Sequence, residues 1–244
     1  MSIFLKYLPQ TLKTIIKESG VYKFLLSRQL FISGGGQDLW VIGEVFNGAR
    51  DGFFLDIGAH DGVEHSNTYR LERRYGWKGI CVEGNPDTFK KLIKNRNCKC
   101  VEACLDSTAQ IVEFAKQGEI GGIVFHENKS QVNPLDIIKI QTRTLKSVLE
   151  EFNAPAEIDY LSIDIEGAED RVLGQFDFSS YKFKCITIER PSESLRAILK
   201  RNGYNLIRDV KFLDAHYVHE NYLNQYEKNF FAFYRRRIIK VFFR

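Results

Sequence analysis

The residues best suited to chemistry form an acidic, glycine-rich turn that follows a short apolar run. Asp56, Gly58, Asp61 and Gly62 lie in the segment GFFLDIGAHDG, residues 52–62. Glycines let the backbone approach a ligand closely, and carboxylates hydrogen-bond a cationic or hydroxyl-bearing group. A pyrophosphate requires bare backbone amides instead, and the third glycine of the GxGxxG pattern is missing. The turn therefore favours a positively charged ligand over a dinucleotide, with a purely structural strand-to-helix turn as the alternative.

A second carboxylate ends the next apolar run along the chain. Glu83 closes the segment WKGICVE, residues 77–83, and follows Asp56 by 27 residues. This interval places its carboxylate to accept hydrogen bonds from two ribose hydroxyls. A ribose and a positively charged group beside an acidic glycine turn together describe S-adenosylmethionine.

The elements that must position these residues alternate between short apolar strands and amphipathic helices. Strands are predicted to end near residues 56, 83, 164 and 189, with one continuous strand over residues 98–105. Residues 118–134 are predicted to be irregular, and Asp38 and Ser66 to cap the helices that follow them. This alternation predicts a doubly wound, mainly parallel α/β sheet with helices on both faces. Such sheets bind ligands beyond the carboxyl ends of their strands, where the strand order reverses.

Several motifs occur together in the order that one enzyme family shows. DIGAHDG, the helix start Ser66-Asn67-Thr68, GWKGICVEGNPDTF, and YLSIDIEGAED followed by ITIER resemble the FkbM-type methyltransferases. That family is a branch of the class I S-adenosylmethionine-dependent fold, which is Rossmann-like. The resemblance covers roughly residues 36–222. We therefore divide the chain into a helical N-terminal extension (1–36), a methyltransferase domain (37–222) and a basic, aromatic tail (223–244).

The resemblance implies an S-adenosylmethionine site built from the ends of four strands. The implied cofactor-binding residues are Asp56, Gly58, Ala59, Asp61, Gly62, Ser66, Asn67, Glu83, Gly84, Asn85, Cys104, Leu105, Asp106 and Asp164. Within this set Glu83 binds the ribose, and residues 104–106 border the adenine. Asp164, together with Glu166, faces the methionine end and the acceptor.

Three carboxylates are the predicted catalytic residues: Asp164, Glu166 and Glu189 follow two apolar strands. Family members mostly methylate hydroxyl oxygens. The implied acceptor is therefore a glycan or a small molecule such as a sugar or a secondary metabolite. An alcohol keeps its proton at neutral pH, so its activation requires a base or a metal ion. The three carboxylates suit either role, with Mg²⁺ as the ion, and an ion pair with Arg190 is the alternative for Glu189. Glu169 is predicted to be a solvated acid at a helix N-terminus.

Positive charge is concentrated at the two ends of the chain. The net charge of the chain is +4, residues 1–31 carry +4 and residues 228–244 carry +6, which leaves −6 on the body. A nucleic-acid enzyme would line one groove with positive charge, so we predict no nucleic-acid partner. Residues 228–244 are predicted either to pack on the body or to form a homo-oligomer, with peripheral membrane contact as the alternative.

The composition is that of a soluble, cytoplasmic globular protein. Hydrophobic residues make up 44% of the chain and charged residues 27%. The cysteines, at positions 81, 98, 100, 104 and 185, form no CxxC pair, so neither a disulfide framework nor a zinc site is predicted. Those at positions 98, 100 and 104 are interpreted as small core residues. A noncatalytic methyltransferase-like adaptor and a nicotinamide-dependent oxidoreductase are the alternative functions.

Overall fold

A computed structural model describes residues 33–118, 121–125, 132–210 and 214–242, with side chains as far as Arg236. Nearly all of the predicted N-terminal extension, residues 1–36, lies outside these residues, as do parts of the stretch predicted to be irregular. The described residues form one seven-stranded and one three-stranded sheet with helices around them.

The large sheet contains the strands that carry most of the predicted site residues. They are β1 (Phe53–Ile57), β2 (Lys78–Glu83), β3 (Lys99–Glu102), β7 (Glu157–Ile163), β8 (Lys182–Glu189), β9 (Tyr204–Asp209) and β10 (Asp214–His219). Their order is β3-β2-β1-β7-β8-β10-β9. The first five run parallel, and β10 is antiparallel to both of its neighbours. The predicted doubly wound, mainly parallel sheet is confirmed.

Apolar side chains cover both faces of this sheet. Leu55 and Ile57 belong to one buried cluster, whereas Phe54, between them in β1, belongs to another. Alternate residues of a strand point to opposite faces. Near-continuous apolar runs such as those of β1 and β2 are the sequence signature of parallel strands buried on both faces.

The small sheet shows where the strand predictions fail. It has the order β4-β6-β5 and consists of β4 (Cys104–Leu105), β5 (Ile111–Ala115) and β6 (Ile137–Arg143). The continuous strand predicted over residues 98–105 is wrong, because β3 and β4 belong to different sheets. Between them the Ala103 N–H donates to the Glu83 carbonyl at 3.0 Å. β6 is a further strand that the hydrophobic pattern does not predict, since most of it is only half-buried or exposed.

Seven helices surround the sheets in the described part of the chain. They are α1 (α-helical over Gln37–Leu39 and π-helical over Trp40–Val45), α2 (Tyr69–Tyr75), α3 (Pro86–Asn95), α4 (Leu145–Glu151), α5 (Glu169–Gly174), α6 (Glu193–Arg201) and α7 (Leu223–Phe242). The prediction that Asp38 caps a helix is wrong, because Asp38 lies inside α1 and Gly36 occupies the cap position. The buried Asp38 carboxylate instead accepts a hydrogen bond from Ser33 Oγ and pairs with Arg70.

The C-terminal helix α7 packs against α1 along one side. Tyr234 donates to the Glu44 carboxylate at 3.0 Å, and the Asn229 amide donates to the Val45 carbonyl at 2.6 Å. Phe231, by contrast, is 70% exposed. Among the described residues no helix is long and apolar enough to span a bilayer. Membrane contact and self-association through residues 228–244 stay predictions.

Candidate functional site

The candidate site lies where the strand order of the large sheet reverses. The chain proceeds from β1 outward to β2 and β3, and later continues on the other side of β1 with β7 and β8. At this point Gly58, with φ of 82°, passes so close to β7 that a Cβ atom would lie 1.7 Å from the Asp164 carbonyl oxygen. Glycine is therefore required here, both for its positive φ and for the close approach of the two loops.

An apolar cavity opens on the β2 side of Gly58. It has a volume of about 520 Å³ including its mouth, and its apolar lining includes Val82, Cys104, Leu105, Phe114 and Ile123. Val82 belongs to β2, the next three residues belong to β4 and β5 of the small sheet, and Ile123 forms an isolated bridge with Phe114. The small sheet therefore contributes one wall of the cavity. Concave, mostly apolar cavities with a few polar groups are the usual shape of small-molecule sites.

Glu83 is one of the two acids that line this cavity, and Asp164 is the other. The two carboxylate oxygens of Glu83 accept the N–H groups of His60 at 2.8 Å and of Asn85 at 2.7 Å. Burial raises the pKa of Glu83, and the two N–H groups oppose that rise. Because each carboxylate oxygen has a second lone pair, Glu83 is held in place and still offers acceptors to a ligand.

A polar cavity of about 700 Å³ lies on the other side of the same loop and shares Gly58, His60 and Asp164 with the apolar one. Here the Asn67 side-chain amide donates to Ser162 Oγ at 2.9 Å. Its Oδ1 is buried and has no hydrogen-bond partner among the described residues. A buried acceptor beside a cavity is satisfied when a ligand donates to it.

Three carboxylates lie close together beside the polar cavity, which Asp164 and Glu166 line and Glu189 does not. Oxygen atoms of Asp164, Glu166 and Glu189 all lie within 4.8 Å of one another. The pKa of Asp164 rises to about 9, first because of desolvation and then because of the charge of Glu189 and a hydrogen bond with it. Arg190 pairs with both Glu166, at 2.8 Å, and Glu189, at 2.7 Å. The neighbouring acids thus raise the affinity of Asp164 for a proton, although Asp164 is the most exposed of the three.

A buried arginine stabilises the acidic turn through hydrogen bonds and ion pairs. Arg96 binds the Glu72 carboxylate at 2.6 Å and donates to the Gly62 carbonyl at 3.2 Å and to Thr68 Oγ1 at 3.0 Å. It also lies 3.9 Å from Asp56, whose carboxylate accepts a hydrogen bond from Thr68. Burial raises the pKa of Asp56, and the charge of Arg96 counteracts that rise.

The sequence comparisons identify the family. A family model described as "Methyltransferase FkbM domain" matches residues 56–206, more than half of the chain. The chain belongs to the FkbM methyltransferase family. Its match spans β1 to β9 and so includes both cavities and the three carboxylates. Among curated proteins, none matches the sequence.

The FkbM chain also resembles solved methyltransferase structures at low identity. A human methyltransferase 10 domain containing protein shows 13% identity and a TM-score of 0.45, with 88% of this chain and 100% of that one covered. A TehB-like SAM-dependent methyltransferase from Corynebacterium glutamicum shows 11% identity and a TM-score of 0.39, covering 83% of this chain and 96% of that one. Phosphoethanolamine N-methyltransferase 2 from Haemonchus contortus, in complex with S-adenosyl-L-methionine, shows 12% identity and a TM-score of 0.34, with 93% of this chain and 45% of that one covered.

Most of the cofactor residues predicted for this FkbM domain lie at the two cavities. The residues that line at least one of them are Asp56, Gly58, Ala59, Ser66, Asn67, Glu83, Gly84, Cys104, Leu105 and Asp164. Glu166 lines the polar cavity as well. His60, which lines both cavities with a φ of 49°, is a site residue that the sequence analysis does not include.

Other predicted residues shape the loops instead of facing a cavity. Asp61 accepts the N–H groups of the two residues at positions 63 and 64, and Asn85 caps α3 by accepting the Asp87 N–H. Gly62 lies against Arg96, where a Cβ would be 2.6 Å from the arginine side chain. Ser66 lines the polar cavity, but the prediction that it caps the next helix is wrong, because Thr68 occupies the cap position of α2. Ser66 Oγ instead accepts the N–H groups of Thr68 and Tyr69.

Asp106 and Glu169 differ most from their predicted surroundings. Asp106 lines neither cavity and forms two hydrogen bonds with Arg171, at 2.8 and 2.6 Å. The prediction that Glu169 is solvated is wrong: it is 4% exposed and accepts the N–H groups of Ile165 and Gly167. Burial raises the pKa of Glu169 to about 7. Glu169 thus fixes the loop that carries the catalytic candidates between β7 and α5.

Proposed function

We propose that this FkbM-family chain transfers the methyl group of S-adenosylmethionine to a hydroxyl oxygen of a sugar, a glycan or a secondary metabolite. The observation that carries the proposal is the meeting of two different cavities at Gly58, His60 and Asp164. The first is mainly apolar, with Glu83 and Asp164 as its acids, and the second is polar with several acids. A ligand with an apolar base, a ribose and a cationic end requires these two environments side by side.

The residues present fit the cofactor at three separate places. The apolar cavity suits the adenine, and the free lone pairs of Glu83 suit the ribose hydroxyls. The unpartnered Oδ1 of Asn67 is an acceptor for an ammonium or hydroxyl group in the polar cavity. The carboxylate of Glu166 at the same cavity favours positive charge.

The three carboxylates offer a base that can accept the proton of the acceptor hydroxyl. When bound, the cofactor supplies a methyl carbon whose bond to sulfur breaks as the acceptor oxygen bonds to that carbon. The chain must align the acceptor with this carbon and remove the hydroxyl proton. We assign proton removal to an ionised carboxylate of Glu166 or Glu189, with the protonated Asp164 donating a hydrogen bond to the acceptor. The positive charge of Arg190 between the two acids limits their mutual repulsion.

Mg²⁺ binding is the second role that this geometry supports for the same three residues. Their oxygens lie within 4.8 Å of one another, close enough to share one ion, and oxygen ligands are those that Mg²⁺ prefers. An ion at this place would lower the pKa of the acceptor hydroxyl directly. The two roles differ in one measurable respect, because a chelator abolishes only metal-dependent transfer.

The experiment has a binding step and a transfer step. Calorimetric titration with S-adenosylhomocysteine tests the cofactor site without knowledge of the acceptor. Transfer of a labelled methyl group is then screened on glycosides, nucleotide sugars and polyketide alcohols, each with EDTA and with added Mg²⁺. Amines are included as control acceptors. Cofactor binding without methyl transfer to any of the hydroxyl compounds would contradict hydroxyl methylation. Absence of binding would contradict the enzyme itself and favour the noncatalytic adaptor.

A further inference from the structure

A group of thiols lies beneath the acidic turn and outside both cavities. The Sγ atoms of Cys81, in β2, and of Cys98, in the turn before β3, are 3.5 Å apart. Cys81 is buried, whereas Cys98 is partly exposed. Cys100, the register partner of Cys81 on β3, donates its S–H to the Cys98 carbonyl at 3.7 Å. The geometry therefore pairs Cys98 with Cys81.

The surroundings make the two thiols chemically unequal. Hydrogen bonds from the Cys100 and Cys81 thiols, together with the positive charge of Arg96, lower the pKa of Cys98 to about 3. Burial raises the pKa of Cys81 well above its usual value. A thiolate is the reactive form of cysteine, and reactive thiolates are partly exposed and lie near positive charge. Cys98 meets both conditions, and the neutral Cys81 thiol lies beside it.

We propose that Cys98 and Cys81 are a peroxide-sensitive pair whose oxidation to a disulfide loosens the cofactor site. The thiolate of Cys98 attacks one oxygen of a hydroperoxide, the O–O bond breaks, and the other oxygen leaves as water or an alcohol after protonation. Cys98 is then a sulfenic acid. The Cys81 sulfur attacks the Cys98 sulfur, and the displaced hydroxide leaves as water with the Cys81 proton. The two thiols have lost two electrons, and the peroxide has gained them.

The movement needed for this bond reaches the acidic turn through Arg96. A disulfide requires a sulfur separation of about 2.05 Å, so the sulfurs must approach each other by about 1.5 Å. Cys98 lies outside the strands, in the turn that begins two residues earlier with Arg96. Arg96 holds the Gly62 carbonyl at 3.2 Å and Thr68 at 3.0 Å. A shift of this turn therefore disturbs the bonds that fix the cofactor loop, a consequence that rests on the proposed function.

Trypsin gives a direct test, because its cleavage sites separate the three thiols. Cys81 falls in the peptide of residues 79–90, Cys98 in residues 97–99, and Cys100 in a peptide that begins at that residue. The full chain is treated with hydrogen peroxide, alkylated and digested. We expect a cross-linked species of the 79–90 and 97–99 peptides, lost on reduction. A link from Cys81 to Cys100, or peroxide-treated protein with both thiols still free, would overturn the proposal.

Variants distinguish the attacking thiol from the resolving one. In Cys81→Ser, a dimedone-type probe should label Cys98, because the sulfenic acid has no partner. In Cys98→Ser and Cys98→Ala, Cys81 should remain unmodified, and Cys185→Ser, which removes another buried thiol, should cross-link like the parent. Equal labelling of all cysteines would show non-selective oxidation and contradict the assignment.

The effect on the cofactor site is measured separately. Calorimetry with S-adenosylhomocysteine should show affinity reduced about tenfold in the oxidised chain, the loss expected for one charge-assisted hydrogen bond, and restored by reductant. A cross-linked chain with unchanged affinity would overturn the coupling through Arg96. If the reduced chain does not bind at all, the proposed function fails, while the mass-spectrometric test of the disulfide stands independently.

Discussion

Replacement of Glu83 by alanine should weaken cofactor binding more than it weakens the fold. In the structure both carboxylate oxygens already accept N–H groups, from His60 and Asn85. Glu83 also lines the apolar cavity, where a ribose would donate two hydroxyls to it. Hydrogen bonds to a charged group contribute about 1.5–3 kcal/mol. Loss of the ribose acceptor alone therefore predicts S-adenosylhomocysteine affinity reduced about 10- to 150-fold.

The loop contacts of Glu83 add a second, separable effect. Removal of the carboxylate leaves two backbone N–H groups without their acceptor, so we expect a modest fall in Tm as well. Glu102→Ala is the matched control, because Glu102 is the register partner of Glu83 on β3 and its side chain is exposed. Calorimetry and thermal denaturation are run on both variants. Unchanged affinity in Glu83→Ala would refute the assignment of this residue to the ribose.

Three further predictions follow from charged groups of the site and the core. Glu166→Gln or Glu189→Gln, whichever removes the base, should reduce the methyl-transfer rate about 10²- to 10⁴-fold on the native acceptor, whereas Asp164→Asn, which keeps a hydrogen-bond donor, should reduce it less; full turnover in all three variants would disprove their role. Arg96→Met should lower the free energy of unfolding by about 3–5 kcal/mol in urea titrations, because two buried carboxylates lose their partner, whereas the exposed Lys94→Met should not. His216→Gln should make the stability of the fold less sensitive to acid. Burial and then the charge of a neighbouring arginine lower the pKa of His216 to about 3. Below pH 6.5 the unfolded chain therefore binds a proton at this residue that the folded chain does not bind. Stability of the parent relative to this variant should fall by about 1.4 kcal/mol per pH unit between pH 6.5 and 3, and parallel stability curves would contradict it.

The fold and the position of the site could be predicted from the sequence because both depend on local patterns. Buried parallel strands appear as apolar runs, and their ends are marked by Glu83, Asp164 and Glu189. The small sheet could not be predicted in this way. β4 has only two residues, and its partner β6 lies more than 30 residues further along the chain. No local pattern reports a pairing of that separation, so Phe114 and Ile123 were not expected at the cavity.

The role of Arg96 could not be predicted from the sequence either, because its contacts are also distant along the chain. Its partners Gly62, Thr68 and Glu72 precede it by 24 to 34 residues and belong to the turn and to α2. A single arginine after a helix usually indicates a solvated surface, and only the packing of α2 and α3 against β1 shows that it is buried. The thiol pair could not be predicted either, because Cys98 lies before β3, outside the strand in which the sequence places it.

For Asp56, in contrast, the alternation of side chains along β1 is enough to show that this residue does not face the apolar cavity. Asp56 is part of β1 and points to the same face as Phe54, two residues earlier, which packs in the cluster containing Trp40 and Leu71. That face lies away from the apolar cavity, which is lined by Ile57. Its carboxylate is accordingly bound to Thr68 and faces Arg96. The first acid of the turn therefore anchors the loop through buried partners, while Glu83, at the very end of β2, is the acid that can reach a ribose. Two carboxylates that look equivalent at successive strand ends thus perform different tasks, because only one of them points towards the apolar cavity.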